Sequence, residues 1–190
     1  YGAGSVSNSY YDSETSGMSN NDGRGTPKTT AEMMQQATFS GWDFDADGVS
    51  AGHNGVWIMA GLPHLQMEWT DTITNVTQLQ MMALDLDASY TLGNDIDASD
   101  TANWNAGAGF DPVGDVYGEF DGSFDGAFFS IDHLSIDRNE GDLGLFARVS
   151  SGGDIRNVVL SEVSVTGSEY NVGALVGHNM GSISNVFSSG

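Results

Sequence analysis

Cysteine is absent from the 190 residues of the chain, and proline occurs only three times. The lack of cysteine excludes disulfide bonds, thiolate catalysis and thiolate-bound zinc, although it does not decide the compartment. The scarcity of proline, together with 26 glycines, favours many short strands joined by tight turns over long helices. The apolar content of 39% is sufficient for a folded core.

Basic residues are also scarce, because five Lys and Arg stand against 26 Asp and Glu and the formal net charge is -21. A surface of this sign repels phosphate backbones and anionic lipids, so we expect no nucleic-acid partner. No stretch approaches the roughly 20 apolar residues of a membrane-spanning helix, so we expect no membrane insertion. The chain starts at Tyr1 rather than Met, as expected for a mature product or a fragment.

Three segments in the second half of the chain share one apolar pattern. Their starts are 24 and 28 residues apart, and each has a second apolar residue three positions later: Ile131 with Leu134, Ile155 with Val158, and Ile183 with Val186. One repeat cannot enclose a core alone, but stacked copies align like residues in internal columns. The pattern predicts an all-β fold, a right-handed parallel β-helix (β-solenoid) with one or two short helices.

Polar and glycine positions recur within these repeats. Asn157 and Asn185 occupy the same place, where an amide can hydrogen-bond to the repeats above and below. Gly173, Gly177 and Gly181 are interpreted as positions of positive φ or of close backbone approach. A phosphate-binding loop is not indicated, since no helix follows these glycines.

The two ends of the chain are similar in sequence. The segment Gly4–Tyr10, GSVSNSY, matches Gly181–Phe187, GSISNVF. We therefore predict one β-solenoid domain over residues 1–190, part of a longer or repeating array. It comprises a closing repeat coil (1–11), a linker with a short helix and a Trp-rich segment (12–71), and solenoid coils (72–190). Stacking of terminal coils predicts end-to-end self-association.

Two short helices are indicated within this plan by capping boxes, in which a hydroxyl and a Glu or Gln three residues later cap the first turn. The first pairs Thr29 with Glu32 and the second pairs Thr77 with Gln80.

One acidic segment resembles the start of a calcium-binding loop. Asp43, Asp45 and Asp47 alternate before Gly48, a spacing at which carboxylates converge on one ion. The twelfth position is Asn54 rather than the bidentate Glu that closes such loops. The segment is therefore either a calcium site or a solvated acidic turn, and no other cofactor is predicted.

Carbohydrate chemistry is the principal alternative to a structural role. Asp121 and Asp125 form a candidate pair of acid and base for cleaving a polysaccharide. Trp42, Trp57 and Trp69 form either buried packing or a platform for sugar rings. Acidic side chains are abundant here and pair by chance, so we expect that the chain is not an enzyme and has no catalytic residues.

The segment Val172–Gly190, VGALVGHNMGSISNVFSSG, resembles the GLUG motif of filamentous-haemagglutinin-like bacterial adhesins. Gly4–Tyr11 resembles the closing half of that motif, and 41–65 and 73–146 resemble the segments around such arrays. The halves occur here in the opposite order, which indicates a fragment or a building block. The resemblance implies an extracellular protein of the bacterial cell surface, repetitive and structural or adhesive.

Three hypotheses follow. The first is a structural and adhesive β-solenoid that contacts a surface glycan or a protein receptor. The second is a solenoid that binds or cleaves polysaccharide in an acidic groove. The third is end-to-end assembly into a filament.

Overall fold

A computed structural model describes residues 6–18, 25–44 and 55–189. The chain forms two compact units, Tyr1–Glu68 (unit 1) and Trp69–Gly190 (unit 2), where the sequence predicted a single domain. Within the described ranges, strands predominate and helices are few and short, so the fold is all-β. No helix in those ranges has the length and apolar character needed to cross a membrane.

Unit 1 combines short strands with single turns of helix. In its described residues, the strands and α-helices are β1 (Tyr10–Asp12), α1 (Ser13–Ser16), β2 (Thr26–Lys28), α2 (Thr30–Met33), β3 (Trp57–Ala60) and β4 (Leu62–Leu65), with 3-10 helices at Gln36–Thr38 and Gln66–Glu68. Strands β1 and β2 are parallel, whereas β3 and β4 form an antiparallel hairpin. The predicted Thr29–Glu32 capping box is confirmed at the start of α2.

Unit 2 contains the remaining strands and one α-helix: β5 (Thr72–Ile73), α3 (Val76–Met81), β6 (Ser89–Leu92), β7 (Ile96–Asp97), β8 (Ser123–Asp125), β9 (Ser130–Asp132), β10 (Ser135–Arg138), β11 (Phe146–Val149), β12 (Asp154–Arg156), β13 (Val159–Ser161), β14 (Ser164–Gly167), β15 (Val176–Asn179), β16 (Ser182–Ser184) and β17 (Phe187–Ser188). 3-10 helices span Met82–Leu84 and Ser99–Gly107.

Every pair of named strands in unit 2 is parallel. Strands β5 and β6 pair with each other, and from β6 onward, strands that follow each other in the chain belong to different sheets. The sheet orders are β16-β12-β8-β6-β5, β17-β13-β9-β7, β10-β14 and β11-β15. We call a stretch that contributes strands to successive sheets a rung. The first rung holds β6 and β7, the second β8 to β10, the third β11 to β14 and the fourth β15 to β17.

The strand register aligns apolar residues across rungs. Tyr90, Phe124, Ile155 and Ile183 are successive partners in the largest sheet. Ile96, Ile131 and Leu160 are successive partners in the next sheet. All of these residues except Ile183 are almost fully buried, as are Leu134 and Val158. These two columns form much of the core of unit 2.

One part of the predicted repeat alignment is wrong. The sequence placed Ile131 in register with Ile155, but Ile131 pairs with Leu160. The error arises because a rung has two bends between strands, which we call corners, with the same local form. Each consists of a strand, a bend with a residue of positive φ, and a second strand. His133 (φ 60°) occupies one corner and Asn157 (φ 56°) the other. The 28-residue alignment of Ile155 with Ile183 is confirmed.

The second predicted capping box is also wrong. Helix α3 begins two residues earlier than expected, because the side chain of Asn75 accepts the backbone N–H of Gln78 at 2.9 Å. Gln80 is instead buried, and its amide exchanges two 2.9 Å hydrogen bonds with the backbone of Asp111. The local sequence pattern did not show whether Gln80 caps the helix or is buried against another segment.

The glycines of the repeats permit close packing between rungs. Gly173, Gly177 and Gly181 do not have positive φ. A Cβ at Gly181 would clash with the carbonyl oxygen of Gly153, and one at Gly177 would meet the Asp142 backbone. Close backbone approach is therefore the constraint at these positions.

Candidate functional site

A polar column follows one corner of unit 2 through three rungs. Asp125 accepts hydrogen bonds from the Asn157 side-chain amide at 2.9 Å and from Arg156 at 3.0 Å. Asn157 in turn accepts from the amide of Asn185 at 3.1 Å. The Asn157 amide and other donors, including Arg156, hold the pKa of Asp125 below its usual value. The column fixes the distance and register between rungs.

A second polar contact joins neighbouring rungs at Asp142, which is almost fully buried. Burial favours its neutral form, but hydrogen bonds from Asn171 (2.7 Å) and Arg148 (2.7 Å) outweigh this effect and lower its pKa. The repeat pattern of the sequence did not reveal that Asp125 and Asp142 bind asparagines of the following rung. The sequence signal for these contacts is that Asp125 and Asp142 lie about one repeat before Asn157 and Asn171.

The open side of unit 2 lies at its last strands. Among the described residues, β14, β15, β16 and β17 each pair with a strand on one side only. We call their unpaired sides the terminal edge. Ile183 is 39% exposed and Phe187 is 60% exposed at this edge.

The segment near the start of the chain has the same backbone feature as the terminal edge. Asn8 has a φ of 49° and is followed by β1, just as Asn185 has a φ of 53° and is followed by β17. The carbonyl of Ser9 accepts the backbone N–H of Thr26 at 2.8 Å. The sequence similarity between the two segments thus extends to their local conformation.

The predicted calcium loop falls mostly outside the described residues. Asp45 and Asp47 lie outside them, and Asp43 is an exposed residue whose carbonyl oxygen accepts the N–H groups of Val56 and Trp57 at 3.0 Å. In the described part of the chain, no group of three or more His, Asp or Glu side chains is placed to hold a metal ion. Calcium binding at these aspartates stays a prediction.

The two carboxylates proposed for sugar chemistry have structural partners. Asp121 accepts a hydrogen bond from the Ser150 hydroxyl, and Asp125 belongs to the polar column. The tryptophans also pack. The rings of Trp42 and Trp57 are 4.1 Å apart within an aromatic cluster of unit 1, and Trp69 contacts Tyr90 in unit 2.

Comparison with known proteins finds two relatives, each over part of the chain. Halomucin of Haloquadratum walsbyi is 40% identical over 128 residues, 63% of this chain and 1% of that protein. A protein of Evansella cellulosilytica named as a Gly-rich membrane protein is 49% identical over 47 residues, 24% of this chain and 5% of that protein. The chain therefore spans only a small fraction of either relative. No protein-family model and no solved structure matches the chain.

Proposed function

We propose that the chain is an extracellular structural segment of a much longer bacterial or archaeal surface protein, in which unit 2 forms coils of a right-handed β-solenoid. The observation that carries this proposal is the topology of unit 2, where from β6 onward successive strands join different parallel sheets and pair with strands of the neighbouring rung. In a solenoid each rung contacts its neighbours, so length is added without a larger core.

Three further observations support this location and role. The names of the two relatives, one a mucin by name and one a membrane protein by name, fit the cell surface. Both are far longer than the matched segment, as expected for arrays. The net charge of -21 favours an extended, hydrated protein that does not self-associate without specific contacts. The resemblance to GLUG-motif adhesins fits the same role.

Assembly through the terminal edge is part of this proposal. The edge exposes Ile183 and Phe187, and unpaired strand edges are templates for pairing with another segment. Val6–Tyr10 resembles β16 and β17 in sequence and in the positive φ of its Asn8, so a neighbouring copy would supply a similar coil. This contact would stack copies end to end.

Electron microscopy with light scattering of the purified chain tests the assembly. We expect regular fibres whose formation is lost in Ile183→Asp, which places a charge on the terminal edge. Val116→Asp, at an exposed position outside β14 to β17, is the matched control. Monomers under all conditions would refute end-to-end assembly. Loss of fibres in a chelator would assign calcium a structural role.

Labelling of intact, unpermeabilised source cells with an antibody to the chain tests the location. We expect surface labelling that protease treatment of intact cells removes. Labelling only after permeabilisation would refute an extracellular role.

A further inference from the structure

A groove of about 530 Å³ lies on unit 2, among the turns that precede β8, β11 and β15. Its volume is within the range of small-ligand sites, roughly 300 to 1,000 Å³. Two tyrosines, Tyr117 and Tyr170, and two arginines, Arg138 and Arg148, line it. None of these residues belongs to the columns of apolar strand partners.

Tyr117 is displayed by a fixed turn. The side chain is 95% exposed, yet the Asp115 carboxylate accepts the backbone N–H groups of Tyr117 (2.7 Å) and Gly118 (2.8 Å). The Asp115 N–H also donates to the carbonyl of Gly118 at 2.8 Å. A large ring held almost wholly in solvent on an ordered turn contributes nothing to the core, and it is available to a ligand.

Tyr170 presents a second ring to the same groove from the turn between β14 and β15. It is 66% exposed, and one edge of its ring packs over Gly141, where a Cβ would lie 2.9 Å from the ring. Its carbonyl oxygen accepts the N–H of Asp142 at 3.1 Å. The backbone of both tyrosines is therefore held in place, which lowers the entropy cost of binding a ligand.

The two arginines of the groove are each paired with acidic side chains. Arg138 lies 3.0 Å from Asp111 and 3.4 Å from Glu140, and it donates to the carbonyl of Phe110 at 3.2 Å. Arg148 lies 2.9 Å from Glu119 and 2.7 Å from Asp142. Each guanidinium is fixed between two carboxylates, so donors and acceptors alternate at set positions.

We propose that this groove binds a neutral oligosaccharide. A pyranose ring offers an apolar C–H face that stacks on an aromatic ring, and a rim of hydroxyls that donate to carboxylates and accept from guanidinium groups. The groove supplies both kinds of partner. The inference goes beyond the structural role, since unit 2 carries the whole site without assembly.

Charge decides the class of glycan. Asp111, Asp115, Glu140 and Asp142 line the groove with the two arginines, which gives a formal charge of -2 in a chain of -21. Uronate, sialylated and sulfated sugars are repelled by this field. A cationic peptide gains less binding free energy than the formal charge of the groove suggests, because the carboxylates of Asp111, Glu140 and Asp142 already contact arginine.

Titration calorimetry of the full chain tests the site. The probes are cello-, malto-, manno- and chitohexaose, with a galacturonate hexamer and a hexalysine peptide as charged comparisons. We expect at least one neutral hexaose to bind with a Kd of about 1 mM or lower, and the galacturonate not to bind. Tyr117→Ala and Tyr170→Ala should each weaken binding about tenfold, whereas Tyr117→Phe should retain it because the ring remains.

Phe128→Ala is the matched control, since Phe128 is another exposed aromatic residue that does not line the groove. It should leave the affinity unchanged, and circular dichroism should give the same fold for every variant. No binding by any neutral hexaose at 10 mM ligand, equal affinity in both Tyr→Ala variants and wild type, or preference for hexalysine would each overturn the proposal. Fibre formation is measured separately, so either proposal can fail alone.

Discussion

The third and fourth rungs of unit 2 have nearly the same sequence at one corner but bury it differently. Ile155 is followed by Arg-Asn-Val and Ile183 by Ser-Asn-Val, and the two asparagines have φ angles of 56° and 53°. Ile155 is fully buried between Phe124 and Ile183, whereas Ile183 has a partner on one side only and is 39% exposed. Local conformation is thus set within a repeat, while burial depends on neighbours on both sides.

The largest expected difference between these rungs is in core truncation. Ile155→Ala should lower the free energy of unfolding by about 3 to 4 kcal/mol, because it removes buried methyl groups and leaves a cavity. Ile183→Ala should cost about 1 kcal/mol, since part of that side chain already contacts water. Native-state hydrogen exchange at β12, in dilute samples of the unassembled chain, measures both. Equal losses would contradict the assignment of Ile183 to an open edge.

A smaller difference is expected at the polar column. Asn157→Ala should cost about 2 kcal/mol, because alanine is strained at positive φ and because Asp125 loses a hydrogen bond. Asn185→Ala should cost about 1 kcal/mol, mainly for the φ angle. Asn157→Gly separates the two causes, since glycine tolerates the angle and lacks the amide. Thermal unfolding measures the loss of stability in the three variants. If Asn157→Gly is as stable as the wild type, the amide contributes nothing to stability.

The smallest expected effect is a pH dependence at Asp142. Its pKa is lowered in the folded protein, so its ionised form stabilises the fold above the unfolded-state pKa of about 3.9. That stabilisation is lost as the pH falls through the folded-state pKa. Asp142→Asn should therefore reduce the loss of stability between pH 7 and pH 3, as measured by thermal unfolding at each pH. An unchanged pH profile would contradict the role of Asp142, and Asp137→Asn, at an exposed position, is the control.

The sequence predicted the strand-rich fold and one repeat register because apolar periodicity records burial directly. It aligned Ile155 with Ile183 correctly, and it recognised the Thr29–Glu32 cap from a purely local pattern. It misplaced Ile131, because two corners of the rung have similar local sequences and only the pairing of distant strands separates them.

The candidate site was less predictable. The exposure of Tyr117 and Tyr170 depends on where rungs bring their turns together, and spacing in the chain does not record that arrangement. The spacing of Asp121 and Asp125 alone suggested an acid and a base for cleaving a polysaccharide. Their hydrogen bonds to Ser150 and Asn157, in the following rung, assign them to packing between rungs.

Cysteine cross-linking tests the register of the rungs most directly, because the chain has no cysteine of its own. Asp132 is the strand partner of Ser161, and parallel neighbours lie about 4.8 Å apart, within the reach of a disulfide. The alignment of Ile131 with Ile155 would instead place Asp132 beside Arg156. We predict that Asp132→Cys with Ser161→Cys forms a disulfide on mild oxidation, and that Asp132→Cys with Arg156→Cys does not. The opposite result would contradict the parallel stack described for unit 2.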